Sequence, residues 1–230
     1  LFLSLRFIPE PRNYTIDKSK GWEWIPGYFS KDQYAQVTSR WHSLGRTDIY
    51  RITDEESRDY LYQNSPGTFL INVVPRPEFA YISTNYLSGT PVYNLSSEGM
   101  RKAGSQIKLF SQIMEAHYLL LDKPKVLVIG VGGGRDLFMA KSHGATVVTG
   151  AEINPGIVAE MSPGGALYEY SGGVYDLENT KVFAMDGRTL VKKFDPGSVD
   201  LIILNGVDTF SGLSSGAYAC GRPRFAFGDA

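Results

Sequence analysis

Cysteine is nearly absent from this chain: Cys220 is its one thiol in 230 residues. No internal disulfide can form, so the fold must be held by packing alone. A reducing, cytoplasmic setting is the simplest expectation. Histidine is also scarce. His42, His117 and His143 stand far apart, without metal-ligand spacing among themselves or with the cysteine, and no metal is expected. Neither sign of charge is in excess. A formal net charge of -1 argues against nucleic acid or an anionic membrane as a general partner. Long apolar runs are missing as well. The opening stretch, LFLSLRFI, is interrupted by Arg6 and stopped at Pro9, which is too short to span a bilayer. It reads as an edge strand or as the stump of something longer. No repeat or low-complexity tract is present.

What remains is ordinary globular composition. A hydrophobic content of 43% is enough for one good core and a smaller appended region. The chain divides accordingly into an aromatic- and β-rich N-terminal region, 1–95, and an α/β domain, 96–230. Trp22, Trp24, Tyr28, Phe29, Tyr34 and Trp41 fall without helical period, which predicts a loop-rich cap over residues 10–45, or an aromatic lid over a ligand. Residues 46–95 read as β. Thr47–Thr53 alternates, Thr68–Val74 is strongly β-forming, and Phe79–Ser83 with Thr90–Asn94 forms a hairpin around Asn85–Gly89. Over Glu98–Leu121 apolar residues recur every three to four positions. That predicts a long amphipathic helix, with His117 packed on or near its apolar stripe.

From Lys125 the pattern alternates between strand and helix. Val126–Ile129 is a continuous apolar run that suits a strand buried on both faces of a parallel sheet. It breaks into Gly130-Val131-Gly132-Gly133-Gly134, and a helix is predicted over Arg135–His143. Thr146–Ala151, Lys181–Ala184 and Val199–Leu204 follow as strands, with helices over Pro155–Met161 and Thr189–Phe194. Four such units in a row predict a doubly wound, Rossmann-like parallel sheet. Ligands of such sheets bind outside the carboxyl ends of the strands. Those ends carry the glycine loop, Glu152, Asp186-Gly187, and Asn205 with Asp208. The glycine loop fits G-x-G-x-G but has Arg135 at the last glycine position of a dinucleotide fingerprint. Glu152, twenty residues after Gly132, is placed to accept both hydroxyl protons of a ribose. Asp186 is placed to accept from an adenine amino group, with Gly187 letting the ring lie close; an Asp-Gly turn is the plainer alternative.

The motifs VLVIGVGGGRD, TGAEINP, VFAMDGR and VDLIILNGVDTF together resemble the class I S-adenosylmethionine-dependent methyltransferase fold. More narrowly they resemble the spermidine/spermine synthase (polyamine aminopropyltransferase) family and its relatives, best over residues 110–218. The resemblance implies S-adenosylmethionine, or its decarboxylated form, as cofactor. It places the methionine part at Gly130, Gly132 and Gly134, the ribose at Glu152 and the adenine at Asp186 and Gly187. It matches the family's small N-terminal β region to residues 40–100. Two positions depart from it. Gly133 stands where the family's loop has Asp. Asn205 stands where the family has an Asp that helps deprotonate the attacking amine, and an amide cannot be a general base near neutral pH. Asp208 matches the family's second acidic position. After Ala219 the chain runs GRPRFAFGDA, where the family continues into further strands. On four strands alone the sheet reads as C-terminally incomplete, with its fourth strand as an edge.

These observations point to an S-adenosylmethionine-type transferase, most simply a methyltransferase of a small-molecule acceptor, because methyl transfer depends mainly on positioning. The alternatives are an aminopropyltransferase using Asp208 and a non-catalytic domain that keeps the fold. A dinucleotide-dependent dehydrogenase is disfavoured by Arg135 and Asp186. A homodimer, and a membrane tether in a longer parent chain, are left open.

Overall fold

The computed structural model describes residues 29–42, 45–64, 78–84, 88–99 and 112–204. They form two four-stranded sheets. The first is antiparallel, with strands β1 (Tyr34–His42), β2 (Gly45–Ile52), β3 (Phe79–Thr84) and β4 (Ser88–Tyr93) in sequence order. Period-two alternation sorts its side chains. Ile49, Ala80, Ile82 and Val92 point one way, and Tyr50, Phe79, Tyr81 and Tyr93 pack with Phe29 on the other face. The expected hairpin is present, with Phe79 opposite Tyr93 and Thr84 opposite Ser88.

Two elements of this region differ from expectation. Residues 34–42, read as loop, form β1. Among the described residues it is an edge strand paired only with β2 and bulged between Gln36 and Thr38, and it leaves Val37 and Trp41 exposed. Backbone pairing, which has no side-chain signature, holds it in place. Residues 55–64, read as β, form helix α1 (Glu55–Asn64), started by the Asp54 carboxylate accepting from Ser57 N–H at 2.8 Å. The strand expected at Thr68–Val74 and the aromatic residues before Phe29 lie outside the described residues.

The second sheet is parallel: β5 (Lys125–Ile129), β6 (Val147–Glu152), β7 (Thr180–Ala184) and β8 (Leu201–Leu204), in the order β7-β6-β5-β8. Helices α2 (Arg135–Ser142), α3 (Pro155–Met161) and α4 (Gly187–Val191) connect them. The fold class is α/β and Rossmann-like, as the alternating pattern predicts. Chain order reverses between β5 and β8, so the switch point lies at the carboxyl end of β5. β8 is an edge among the described residues, and Ile202 and Leu204 are exposed on it. The expected helix over Glu98–Leu121 is, in its described C-terminal part, a 3-10 segment, Gln112–Leu120. There Tyr118 is buried and stacks on His143, with ring centroids 4.9 Å apart.

One core joins the two sheets. Ile49, Ile82 and Val92 of the antiparallel sheet share a buried cluster with Val126, Val128, Leu137, Val148, Met161 and Val174. The other face of β5 and β6, Leu127 and Ala151, packs against Leu190 of α4. The central strand β5 is therefore covered on both faces, which is why it reads as an unbroken apolar run.

Candidate functional site

The loop after β5 turns on glycines in the left-handed region. Gly130, Gly132 and Gly134 have φ of 76°, 52° and 82°, values that residues with a Cβ rarely adopt. Gly133 is required for a different reason. A Cβ there would run into the carbonyl oxygen of Pro91 on β4. The hairpin of the antiparallel sheet thus rests directly on the loop. That contact occupies the space where the family resemblance expects an Asp side chain.

Every backbone donor of the loop is taken. The N–H groups of Gly130 and Val131 both donate to the Ala151 carbonyl, at 2.8 and 3.2 Å, and Gly134 N–H donates to Val131 O at 3.0 Å. Gly132 N–H donates to Glu152 Oε2 at 2.8 Å. Gly133 N–H donates to the Thr90 hydroxyl at 3.2 Å. A loop that cradles a pyrophosphate does so with inward-facing N–H groups, and the stretch from Gly130 to Gly134 has none to offer.

Glu152 ends β6, next to the loop on the neighbouring strand, and is buried. Its Oε1 accepts from Asn154 N–H at 2.8 Å, and its Oε2 accepts from Gly132. Burial pushes its carboxyl above the ordinary value, against the pull of the N–H groups of Asn154, Gly132 and Ile153. A carboxylate has about four acceptor positions. The N–H groups of Asn154, Gly132 and Ile153 act on it, and the acceptor capacity that remains can take a ribose hydroxyl. Ile153, exposed between two buried neighbours, offers an apolar surface beside it.

Asp186 follows β7 and is the N-cap of α4. Its Oδ1 accepts from the N–H groups of Arg188 and Thr189, at 3.1 and 3.2 Å. Burial pushes the carboxyl up, but the Arg188 side chain and those N–H groups outweigh it and hold the group below its ordinary value. Oδ2 has only a long contact, 3.5 Å, with Arg188 Nη2, so it can still accept from an amino group. The cap also explains why α4 starts two residues before the helix expected at Thr189. Gly187 has a further, structural reason to be glycine. A Cβ there would strike Ile129 Cγ2, so its glycine serves packing against β5. Asn205 and Asp208 lie outside the described residues.

Sequence reasoning missed the groups that hold these parts together. Asn154 is buried, and its side chain is fully used. Oδ1 caps α3 by accepting from Gly156 and Ile157, and Nδ2 donates to the Thr47 and Thr84 hydroxyls of the antiparallel sheet, at 3.2 and 3.0 Å. The Asn154-Pro155 pair, a capping residue before a proline, was its available signal. Tyr175, on the short 3-10 turn Val174–Asp176, donates its hydroxyl to Gly132 O at 2.6 Å. Burial, then the Glu152 charge, push its phenol well above the ordinary value, so it remains a donor. Nothing in the Gly/Tyr-rich loop around it marked this role.

No protein-family model and no curated protein sequence matches the chain. Solved structures do. The likeness is to spermidine synthases. One is a spermidine synthase in complex with the transition state analogue AdoDATO, 18% identical, TM-score 0.45, over 73% of this chain and 46% of that one. Another is the spermidine synthase from Thermotoga maritima, 18% identical, TM-score 0.46, over 75% and 47%. The chain therefore spans about half the length of these synthases. No group of three or more His, Cys, Asp or Glu side chains that could hold a metal ion occurs among the described residues. No described helix is long and apolar enough to cross a membrane. A groove of about 450 Å³ runs between β6, β7 and the α4 region, lined by Val147–Thr149, Asn179–Lys181, Phe183, Leu190, Lys193 and Phe194, and neither Glu152 nor Asp186 lines it.

Proposed function

We propose that this chain is the cofactor-holding part of a spermidine-synthase-like group transferase that binds an adenosyl sulfonium. The observation that carries the reading is the pairing of Glu152 with a glycine loop whose own donors are all engaged. Such a site has an acceptor for a ribose diol, and its loop from Gly130 to Gly134 keeps no N–H for a pyrophosphate, which suits a nucleoside cofactor without phosphates better than a dinucleotide. Asp186 and Ile153 supply an amino-group acceptor and an apolar face for the adenine.

The reaction we propose is aminopropyl transfer from decarboxylated S-adenosylmethionine to a small amine. The amine nitrogen attacks the carbon bonded to sulfur and the C–S bond breaks. Methylthioadenosine leaves, and Asp208 takes the proton released from nitrogen. The antiparallel sheet seated on the glycine loop supports this form, since the family resemblance expects a small β region there. Methyl transfer from S-adenosylmethionine is the second reading. Asn205 favours it, because an amide supplies no base and an acceptor that is already nucleophilic needs none.

Calorimetric titration with S-adenosylmethionine, its decarboxylated form and methylthioadenosine tests the cofactor class. Saturable binding of at least one is expected, and no heat with any of the three rejects the proposal. Incubation with each donor plus putrescine then separates the reactions. Spermidine formed from the decarboxylated donor, and lost in Asp208→Asn, is the expected result. A folded wild-type chain that binds this donor and forms no spermidine excludes aminopropyl transfer to putrescine.

A further inference from the structure

The peptide between Gly132 and Gly133 is held at both ends by side chains from distant elements. Its carbonyl accepts from the Tyr175 hydroxyl at 2.6 Å, and its N–H donates to the Thr90 hydroxyl at 3.2 Å. The preceding peptide donates its N–H to Glu152. A peptide between two glycines has no Cβ on either side to oppose its rotation. Local sterics therefore do not set its orientation, and these side chains do. Tyr175 is itself fixed, since Val174 beside it packs against Gly134. Thr90 is fixed by β4, whose Pro91 carbonyl closes on Gly133.

We propose that Tyr175 and Thr90 are positioning residues for the adenosyl ligand, which lock the Gly132–Gly133 peptide so that Gly132 N–H stays on Glu152 and the carboxylate keeps its aim at the ribose. This rests on the adenosyl reading of the site. It makes the antiparallel sheet part of the cofactor site through one hydroxyl, although its remaining contacts with the parallel half are structural. Rotation of the peptide would leave the Tyr175 and Thr90 hydroxyls unpaired and remove two anchors of the loop whose preceding peptide holds Glu152 through Gly132 N–H, so losing either hydroxyl should loosen the same loop.

The test uses the full chain as wild type, Tyr175→Phe, Thr90→Val and Thr90→Ser, each held well below its unfolding temperature. Methylthioadenosine binding is measured by calorimetry, and amide exchange at Gly132 by NMR without ligand. Tyr175→Phe and Thr90→Val should each weaken binding about tenfold, the effect of one lost hydrogen bond in a buried network. Both should speed Gly132 exchange relative to the amides of β5. Thr90→Ser keeps the hydroxyl and should bind within about twofold of wild type. Unchanged affinity in Tyr175→Phe, unchanged Gly132 exchange, or equal losses in Thr90→Val and Thr90→Ser would overturn the proposal. If Tyr175→Phe does not fold, the two Thr90 variants decide alone. A wild-type chain that binds no adenosyl ligand rejects the proposed function instead, and Gly132 exchange then decides whether the two hydroxyls lock the loop.

Discussion

Glu152 works against the stability of the chain in the ionised state that the proposed ribose contact requires. Burial raises its carboxyl above the ordinary value near 4.5, so ionising it in the folded protein is costly. The sign follows: its contribution to stability is present below that value and is lost as pH rises through the folded one. Affinity for a ribose should change the opposite way, because only the ionised carboxylate accepts from two hydroxyls without offering a competing proton. Thermal unfolding and methylthioadenosine titration across this window should show stability falling while affinity rises. Both trends should be absent in Glu152→Gln. Gly133 makes a sharper point about the neighbouring loop. Adding a Cβ there drives it into the Pro91 carbonyl, so Gly133→Ala should lose about 1–3 kcal/mol by overpacking in urea unfolding. A neutral substitution would mean that β4 does not press on the loop in solution.

Each short element is held by a cap or a contact from elsewhere. Helix α4 has five residues, too few to persist alone in water, and Asp186 supplies its N-cap while standing at the position proposed for the adenine. The two roles can be separated. Asn caps a helix about as well as Asp, so Asp186→Asn should keep the stability of wild type and weaken adenosyl binding. Asp186→Ala should lose both, with about 1 kcal/mol of stability from the cap. The depressed carboxyl of Asp186 sets the pH sense. Its stabilising contribution is full above the ordinary aspartate value and fades as pH falls through the folded value, so the deficit of Asp186→Ala should shrink in acid. Urea unfolding of the three proteins at neutral and acid pH checks this. Helix α3 shows the same economy. Asn154 caps it, donates to Glu152 through the backbone, and ties it to Thr47 and Thr84.

At the scale of the molecule, the two sheets share one buried cluster and therefore form a single cooperative unit. Ile82 is fully buried in that cluster. Ile82→Ala on β3 should cost about 2–5 kcal/mol and lower the unfolding temperature of the parallel half with it. Calorimetry should give one transition in both proteins. Two transitions, with only the first shifted, would show that the antiparallel sheet is independent. The ion pair between Arg40 on β1 and the buried Glu160 on α3, at 2.9 Å, spans the same boundary. So does Gly156, where a Cβ would crowd His42 and Thr47.

The glycine loop, Glu152 and Asp186 were legible in the sequence because each is local: an apolar run ending in glycines, then acids at the ends of the next strands. The four parallel strands and the hairpin were legible for the same reason, through period and punctuation. The edge strand β1 and helix α1 were not, since one depends on pairing with β2 and the other breaks a β-like context with a single capping aspartate. Nor did the residues alone reveal why Gly133 and Gly187 must be glycine, because their crowding comes from Pro91 and Ile129, distant in the chain. Sequence by itself determined the chemistry available at the strand ends. Only the tertiary structure decided how that chemistry is aimed. The Gly132–Gly133 peptide has no local preference, and its orientation comes from hydroxyls that folding brings in from β4 and from the turn at Tyr175.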